Sequence, residues 1–256
     1  MVYIDNKFVL YTPLSLNINK TKALNECKSV LKKYGIWISS KGTKLERPNL
    51  HGLSNTEASI IERTYREEQR KQRPNDFPVK GVLLKGINGL EHSISYLITD
   101  TRHFKWTVVA SECPYLIDVI KKIPFLNVGR VIIQTVEKGH SLHEHIDSVF
   151  RLDSETVQRR TEHLQQYNIK DFKINVNCYI TIVLQGDGIN FHYSNFKKNY
   201  YRNDDVYYFC PHIIRHSINK CNDQRIICRI EGEASTELID MIQNNAKIFN
   251  ERILTV

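Results

Sequence analysis

The sequence holds no apolar run approaching the roughly 18 to 20 residues that cross a bilayer. Its opening, MVYIDNKFVLYTPL, lacks a basic region followed by an apolar stretch and a cleavage site. Both absences argue against membrane insertion and export, so the expected location is cytoplasmic, with no transmembrane segment. Paired-cysteine motifs are missing too. Cys27, Cys113, Cys178, Cys210, Cys221 and Cys228 are scattered, with no two-residue spacing of a zinc knuckle or redox pair, and they read as reduced thiols. No internal repeat and no low-complexity linker interrupts the chain. The expectation is one folded unit.

What is present is an ordinary globular composition, 41% hydrophobic and 25% charged, which excludes whole-chain disorder. The charge balance is 36 − 28 = +8 over 256 residues. This excess suits an anionic partner such as nucleic acid, an anionic membrane surface or an acidic peptide, and equally suits a solvated surface.

Apolar spacing predicts helices over 21–34, from Ser54 to the residue before Pro74, over 115–123, over 154–167, and from Ser235 to near the end. Ser54 and Glu57 have capping-box spacing. From about residue 78 the texture changes to β-branched and aromatic runs: VKGVLL, SISYLIT, KWTVVA, GRVIIQTV, INVNCYITIVL, DVYYFC and RIICRIEG. The predicted class is mainly β with flanking helices (α+β), a sandwich or barrel. Residues 1–77 form a helical N-terminal cover, 78–232 the β core, and 233–256 a C-terminal helix packed on it.

Chemistry concentrates in two segments. In GRVIIQTVEKGHSLHEHIDS, a glycine turn at Gly139 precedes His145 and Asp147, whose two-residue spacing puts both side chains on one face of an extended strand. In CPHIIRHSINKCNDQRIICRIEG, His216 precedes an Asn222–Asp223 pair suited to a tight hairpin. A two-residue turn would set His216 opposite Arg229 and Lys220 opposite Arg225. Four residues of strand span roughly 13 Å, so Arg225 is placed to hold the far end of a ligand anchored at His216, and Arg229 is too close. Two histidines and one carboxylate on one side of a metal leave adjacent positions open, the arrangement suited to non-haem Fe(II) and O2. His143 and His145 are also two apart, so an all-histidine cupin site with His216 stays open. Asp147 and Arg225 argue against it.

Gly129-Arg130, Gly139, His145-x-Asp147, and His216 followed nine residues later by Arg225 resemble the aspartyl/asparaginyl β-hydroxylase branch of the Fe(II)/2-oxoglutarate dioxygenases. The resemblance covers about residues 115–232. It implies a double-stranded β-helix (jelly roll, cupin-like). His145, Asp147 and His216 would ligate Fe(II), and Arg225 would bind the distal carboxylate of 2-oxoglutarate, with O2 as the other cosubstrate. It further implies hydroxylation of a C–H bond coupled to oxidative decarboxylation to succinate and CO2. The spacing of nine is shorter than usual. Where the family often carries an Arg-x-His pair, this chain has KINVNCYITIV, and Asn177 or Tyr179 is expected to replace that contact to the cosubstrate.

His143, His192 and Arg130 are candidates for the substrate pocket, with His143 inward or at its edge. Arg130 also suits a buried structural ion pair. His192 opens a polar aromatic loop, HYSNFKKNYYRNDD, that would serve as a substrate wall or a solvated hairpin. The substrate is not identified. A protein side chain or an amino acid is favoured, and a small metabolite or nucleic acid stays open, as does a cupin-like metal-binding protein without oxygenase activity.

Overall fold

Two periodicities decide the architecture, the alternation of side chains along the strands and the three-to-four spacing along the helices. The computed structural model describes residues 2–4, 7–38, 45, 48–50, 52–72, 78–92, 97–145, 147, 154–186, 188–193, 198–202, 204–211, 215–248 and 253–254. In chain order the first elements are β1 (Tyr3–Ile4), β2 (Lys7–Val9), β3 (Tyr11–Pro13), α1 (Lys20–Tyr34), β4 (Ile36–Ile38) and α2 (Asn55–Gln72). Next come β5 (Val79–Ile87), β6 (Phe104–Trp106), α3 (Pro114–Lys121), β7 (Phe125–Val136), β8 (Leu142–His145), α4 (Ser154–Gln166) and β9 (Cys178–Gln185). The chain continues with β10 (Ile189–Tyr193), β11 (Lys198–Arg202), β12 (Val206–Phe209), β13 (Arg215–Ile218), β14 (Arg225–Ala234), α5 (Thr236–Ile248) and β15 (Ile253–Leu254).

The helices begin where their caps are encoded. Ser54 Oγ accepts from the Glu57 amide at 3.3 Å while the Glu57 carboxylate accepts from the Ser54 amide at 3.0 Å, a reciprocal capping box. Ser235 Oγ accepts from the Leu238 amide at 3.1 Å and opens α5.

The strands pair antiparallel. A large sheet runs in the order β3, β12, β9, β14, β7, β5, β4, with β6 added to β5, and a small sheet runs β11, β10, β13, β8. From β7 to β14 the chain distributes its strands between the two: β7, β9, β12 and β14 to the large sheet, β8, β10, β11 and β13 to the small one. This is a double-stranded β-helix, the fold expected. Strands β3 and β4 extend the large sheet at its two edges, so the first 77 residues contribute strands as well as helical cover.

Alternation sorts the large sheet into two faces. Val131, Ile133, Ile180, Ile182, Cys228 and Ile230 point outward into one apolar cluster with Cys27 and Val30 of α1, Leu116 and Ile120 of α3, and Leu238 and Ile242 of α5. The opposite parity faces the small sheet. Ile132, Val136, Leu142 and Ile218 close one end of that interior, and Val183, Ile189, Tyr207 and Phe209 the other. All six cysteines are buried and none is in a disulfide.

Three local expectations are not met. SISYLIT forms no strand over residues 97–99, and residues 93–96 lie outside the described residues. KWTVVA is a strand only as far as Trp106, because residues 108–112 wind into a 3-10 turn. The hairpin between His216 and Arg229 does not form. β13 pairs with β8 and β10, whereas β14 is hydrogen-bonded on both edges, to β7 and β9. The Asn222–Asp223 turn therefore carries the chain from one sheet to the other. Gly186, with φ +89°, makes room for this: a Cβ there would stand 2.7 Å from the Arg225 Cα.

The lead-in to β9 is fastened by Asp100, whose fully buried carboxylate accepts from the Lys173 amide at 2.7 Å and from the Arg102 side chain at 2.6 Å. Burial pushes this carboxyl up, but the hydrogen bonds from Arg102 and Lys173 outweigh it and hold it at about 2, below its ordinary 3.8. Its contribution to stability is therefore complete above pH 3.8 and is lost as pH falls through about 2. Urea unfolding across this range should show stability falling with acid in the native chain, and a shallower fall in Asp100→Asn.

Candidate metal centre

His145 closes β8, Asp147 follows it, and His216 lies in β13 directly opposite His145. The two imidazole centroids are 4.3 Å apart. His145 Nε2 stands 3.7 Å from Asp147 Oδ1. One donor atom from each of His145, Asp147 and His216 falls within 4.8 Å of the others. Among the described residues this is the one cluster of three or more such groups.

The donor atoms are set up for ligation. His145 Nδ1 lies 2.8 Å from the carbonyl of His143. A carbonyl only accepts, so Nδ1 carries the proton and Nε2 presents its lone pair. His216 is buried, with its ring edge-on to Phe209 at 5.3 Å between centroids. The Asp147 amide donates to the Pro211 carbonyl at 2.9 Å, which anchors the chain beyond β8. Burial pushes the Asp147 carboxyl up, but the Arg229 guanidinium and the two imidazoles bring it down to about 2. It is a carboxylate at neutral pH.

A buried chain of charges backs this cluster. Arg229 Nη2 donates to Asp147 Oδ2 at 2.8 Å, and Arg229 Nε lies 3.2 Å from Glu231 Oε1. Glu231 also takes a hydrogen bond from Arg130, which is fully buried. Arg130 is thus a structural ion-pair residue. The Tyr179 and Phe209 rings flank the Arg229 guanidinium at 5.5 and 5.7 Å. Burial, reinforced by Glu231, pushes the Tyr179 phenol far above its usual range, so it stays a neutral hydroxyl.

Arg225 sits four residues before Arg229 on the same face, roughly 13 Å along the strand. It is buried, and its Nη2 reaches the Tyr207 hydroxyl at 3.5 Å. Among the described residues, Arg130, Arg225 and Arg229 set against Asp147 and Glu231 leave this group of five at 3 − 2 = +1 before any metal enters.

No family model matches the sequence, and no curated protein matches it. Solved structures resemble it over most of its length. A prolyl hydroxylase from Trichoplax adhaerens, in complex with a hypoxia inducible factor oxygen degradation domain peptide fragment, is 10% identical with a TM-score of 0.42, covering 89% of this chain and 84% of that one. A 2OG-Fe(II) oxygenase family oxidoreductase from Burkholderia pseudomallei is 7% identical with a TM-score of 0.35, covering 87% and 97%. A Pseudomonas putida prolyl-4-hydroxylase is 10% identical with a TM-score of 0.32, covering 83% and 99%. Likeness this distant assigns no function. The donor geometry has to do that.

The other expected site residues are dispersed. The register of β8 with β13 slips, Leu142 facing Ile218 and His145 facing His216, so β8 carries one extra residue. That bulge lets Leu142 and His145 both face inward and leaves His143 exposed, which excludes the inward of the two expected placements, inward or at the pocket edge. Its ring lies 6.0 Å from that of His145, outside the cluster. Asn177 spends its side-chain oxygen on the Ala234 amide at 2.8 Å, fastening β9 to the end of β14. His192 stands at the register of Arg215, one step from His216. Its side chain, and residues 194–197 and 203 of its loop, lie outside the described residues.

Sequence reasoning set Arg229 aside as a ligand anchor and missed Glu231. The signal was there: Arg225, Ile227, Arg229 and Glu231 share one parity of β14, and Ile226, Cys228 and Ile230 the other. Replacing Glu231 by Gln removes the carboxylate that Arg130 and Arg229 share, while Arg229 keeps Asp147, and should cost about 3 to 5 kcal/mol. Chemical denaturation should show it as a lowered midpoint at unchanged slope.

Proposed function

We propose that this chain is an Fe(II)- and 2-oxoglutarate-dependent dioxygenase that hydroxylates a C–H bond, yielding succinate and CO2. The observation that carries the proposal is the convergence of two imidazoles and one carboxylate, within 4.8 Å, between the two sheets of a jelly roll. Neutral nitrogen donors and a carboxylate on one side suit Fe(II), and they leave positions for an oxoacid and O2. Bound there, the iron would supply activation of O2 coupled to decarboxylation of the oxoacid.

The protein's part lies in its own residues. His145 Nε2, Asp147 Oδ1 and a ring nitrogen of His216 hold the metal. Arg229 keeps Asp147 Oδ2 engaged, which turns the carboxylate to present its other oxygen. Arg225, with the Tyr207 hydroxyl, receives the distal carboxylate of 2-oxoglutarate by a charge-assisted hydrogen bond. Val183, Ile189 and Phe209 line the interior with apolar surface and exclude water from the reacting centre. The motif resemblance favours an amino acid or a protein side chain as substrate, in the manner of the aspartyl/asparaginyl β-hydroxylase branch.

Uncoupled or substrate-stimulated conversion of 2-oxoglutarate to succinate should require ferrous iron. It should fall to background in His145→Ala and in Asp147→Ala. Arg225→Ala should mainly raise the KM for 2-oxoglutarate, by about 10- to 100-fold, the worth of one charge-assisted hydrogen bond. Succinate formation that is indifferent to iron, or to all three substitutions, would overturn the proposal.

A further inference from the structure

A cavity lies at the opposite end of β14 from Arg225. Its volume is about 630 Å³, and its walls come from the ends of β5 and β14, the start of β7 and the lead-in to β9. That is the size range of small-molecule sites. Glu233, in its wall, is four residues beyond Arg229, so the cavity is about 13 Å of strand away from the metal cluster.

The lining is unbalanced in charge. Lys85, Arg102, Lys121 and Lys173 contribute four cations, and Glu233 the one carboxylate. Arg102 is already held by Asp100 and Asp171. Glu233 accepts from the side-chain amides of Asn127 at 2.8 Å and Asn175 at 3.3 Å. Among the described residues, Lys85, Lys121 and Lys173 have no ion-pair partner. Lys85 is half-buried, donates to the Val128 carbonyl and lies 5.5 Å from the centroid of the Trp106 ring. Burial lowers its pKa. Its ammonium thus borders the cavity with a carbonyl and an indole as partners and no carboxylate.

The same cavity exposes apolar surface. Trp106 is 37% exposed and Leu126 62% exposed, and Phe125 lies beside them. Scattered apolar side chains on a surface need no explanation, but a flat indole and a leucine beside three ammonium groups select a ligand with two parts. We propose that this cavity binds an anion of nucleotide size, a phosphate monoester for the lysines joined to a planar ring for Trp106. It is separate from the metal centre and does not depend on that centre's function.

The sequence has two tryptophans, so Trp37→Phe leaves Trp106 as the reporter. Fluorescence of the full chain in that background should change saturably with AMP at low salt. Adenosine and inorganic phosphate should each bind about tenfold or more weakly than AMP. Lys121→Glu, at an exposed position, should weaken AMP by about tenfold or more and leave metal binding at His145 unchanged. Absence of a saturable change with AMP, equal affinity in Lys121→Glu, or tighter binding of an oligoglutamate peptide than of AMP would each overturn the proposal.

Discussion

Asp147 is held by Arg229, and much of the interior is arranged around that contact. A carboxylate taken out of water with no cation beside it would be costly to keep charged. The guanidinium at 2.8 Å makes the charge tenable, and Glu231 then balances the guanidinium from its other side. Arg130 completes the sequence from β7. Four alternating charges thus link the end of β8 to the centre of the large sheet. Each is buried or nearly so, and each depends on its neighbours, because removal of one leaves another uncompensated. The chain of charges also fixes direction: with Oδ2 committed to Arg229, Oδ1 is the atom left facing His145 and His216.

The jelly roll explains why such an arrangement can be built at all. Strands from the two sheets face each other, so His145 and His216 come from adjacent strands of the small sheet while Arg225, Arg229 and Glu231 come from one strand of the large sheet. Parity along β14 sends Ile226, Cys228 and Ile230 to the helices, and its charged residues with Ile227 to the interior. A single strand therefore supplies both core packing and site electrostatics. The bulge in β8 does comparable work in four residues, turning Leu142 and His145 the same way and His143 out.

What the sequence made legible follows from what is local. Ser54 with Glu57 and Ser235 announced helix starts because a cap is a contact between residues three apart. The mainly β class and the convergence of His145, Asp147 and His216 were readable from strand periodicity and motif order. The partner of each strand was not. Asn222–Asp223 has the chemistry of a hairpin turn, yet β14 finds both its neighbours in β7 and β9, more than 30 residues away in sequence. Arg229 was set aside as too near the metal to anchor a ligand's far end, and that nearness is what places it on Asp147. The bulge in β8 and the 3-10 turn at 108–112 arise from packing against other segments and leave no local signature.

The most direct test of the metal centre is spectroscopic and needs no substrate. Under anaerobic conditions, Fe(II) and 2-oxoglutarate are added together and the visible spectrum is followed for a metal-to-ligand charge-transfer band. The account predicts a band that saturates at one iron per chain in the native protein and is absent in Asp147→Ala. Tight iron binding with no such band at saturating 2-oxoglutarate would contradict it, leaving a jelly roll that holds a metal without presenting it to an oxoacid.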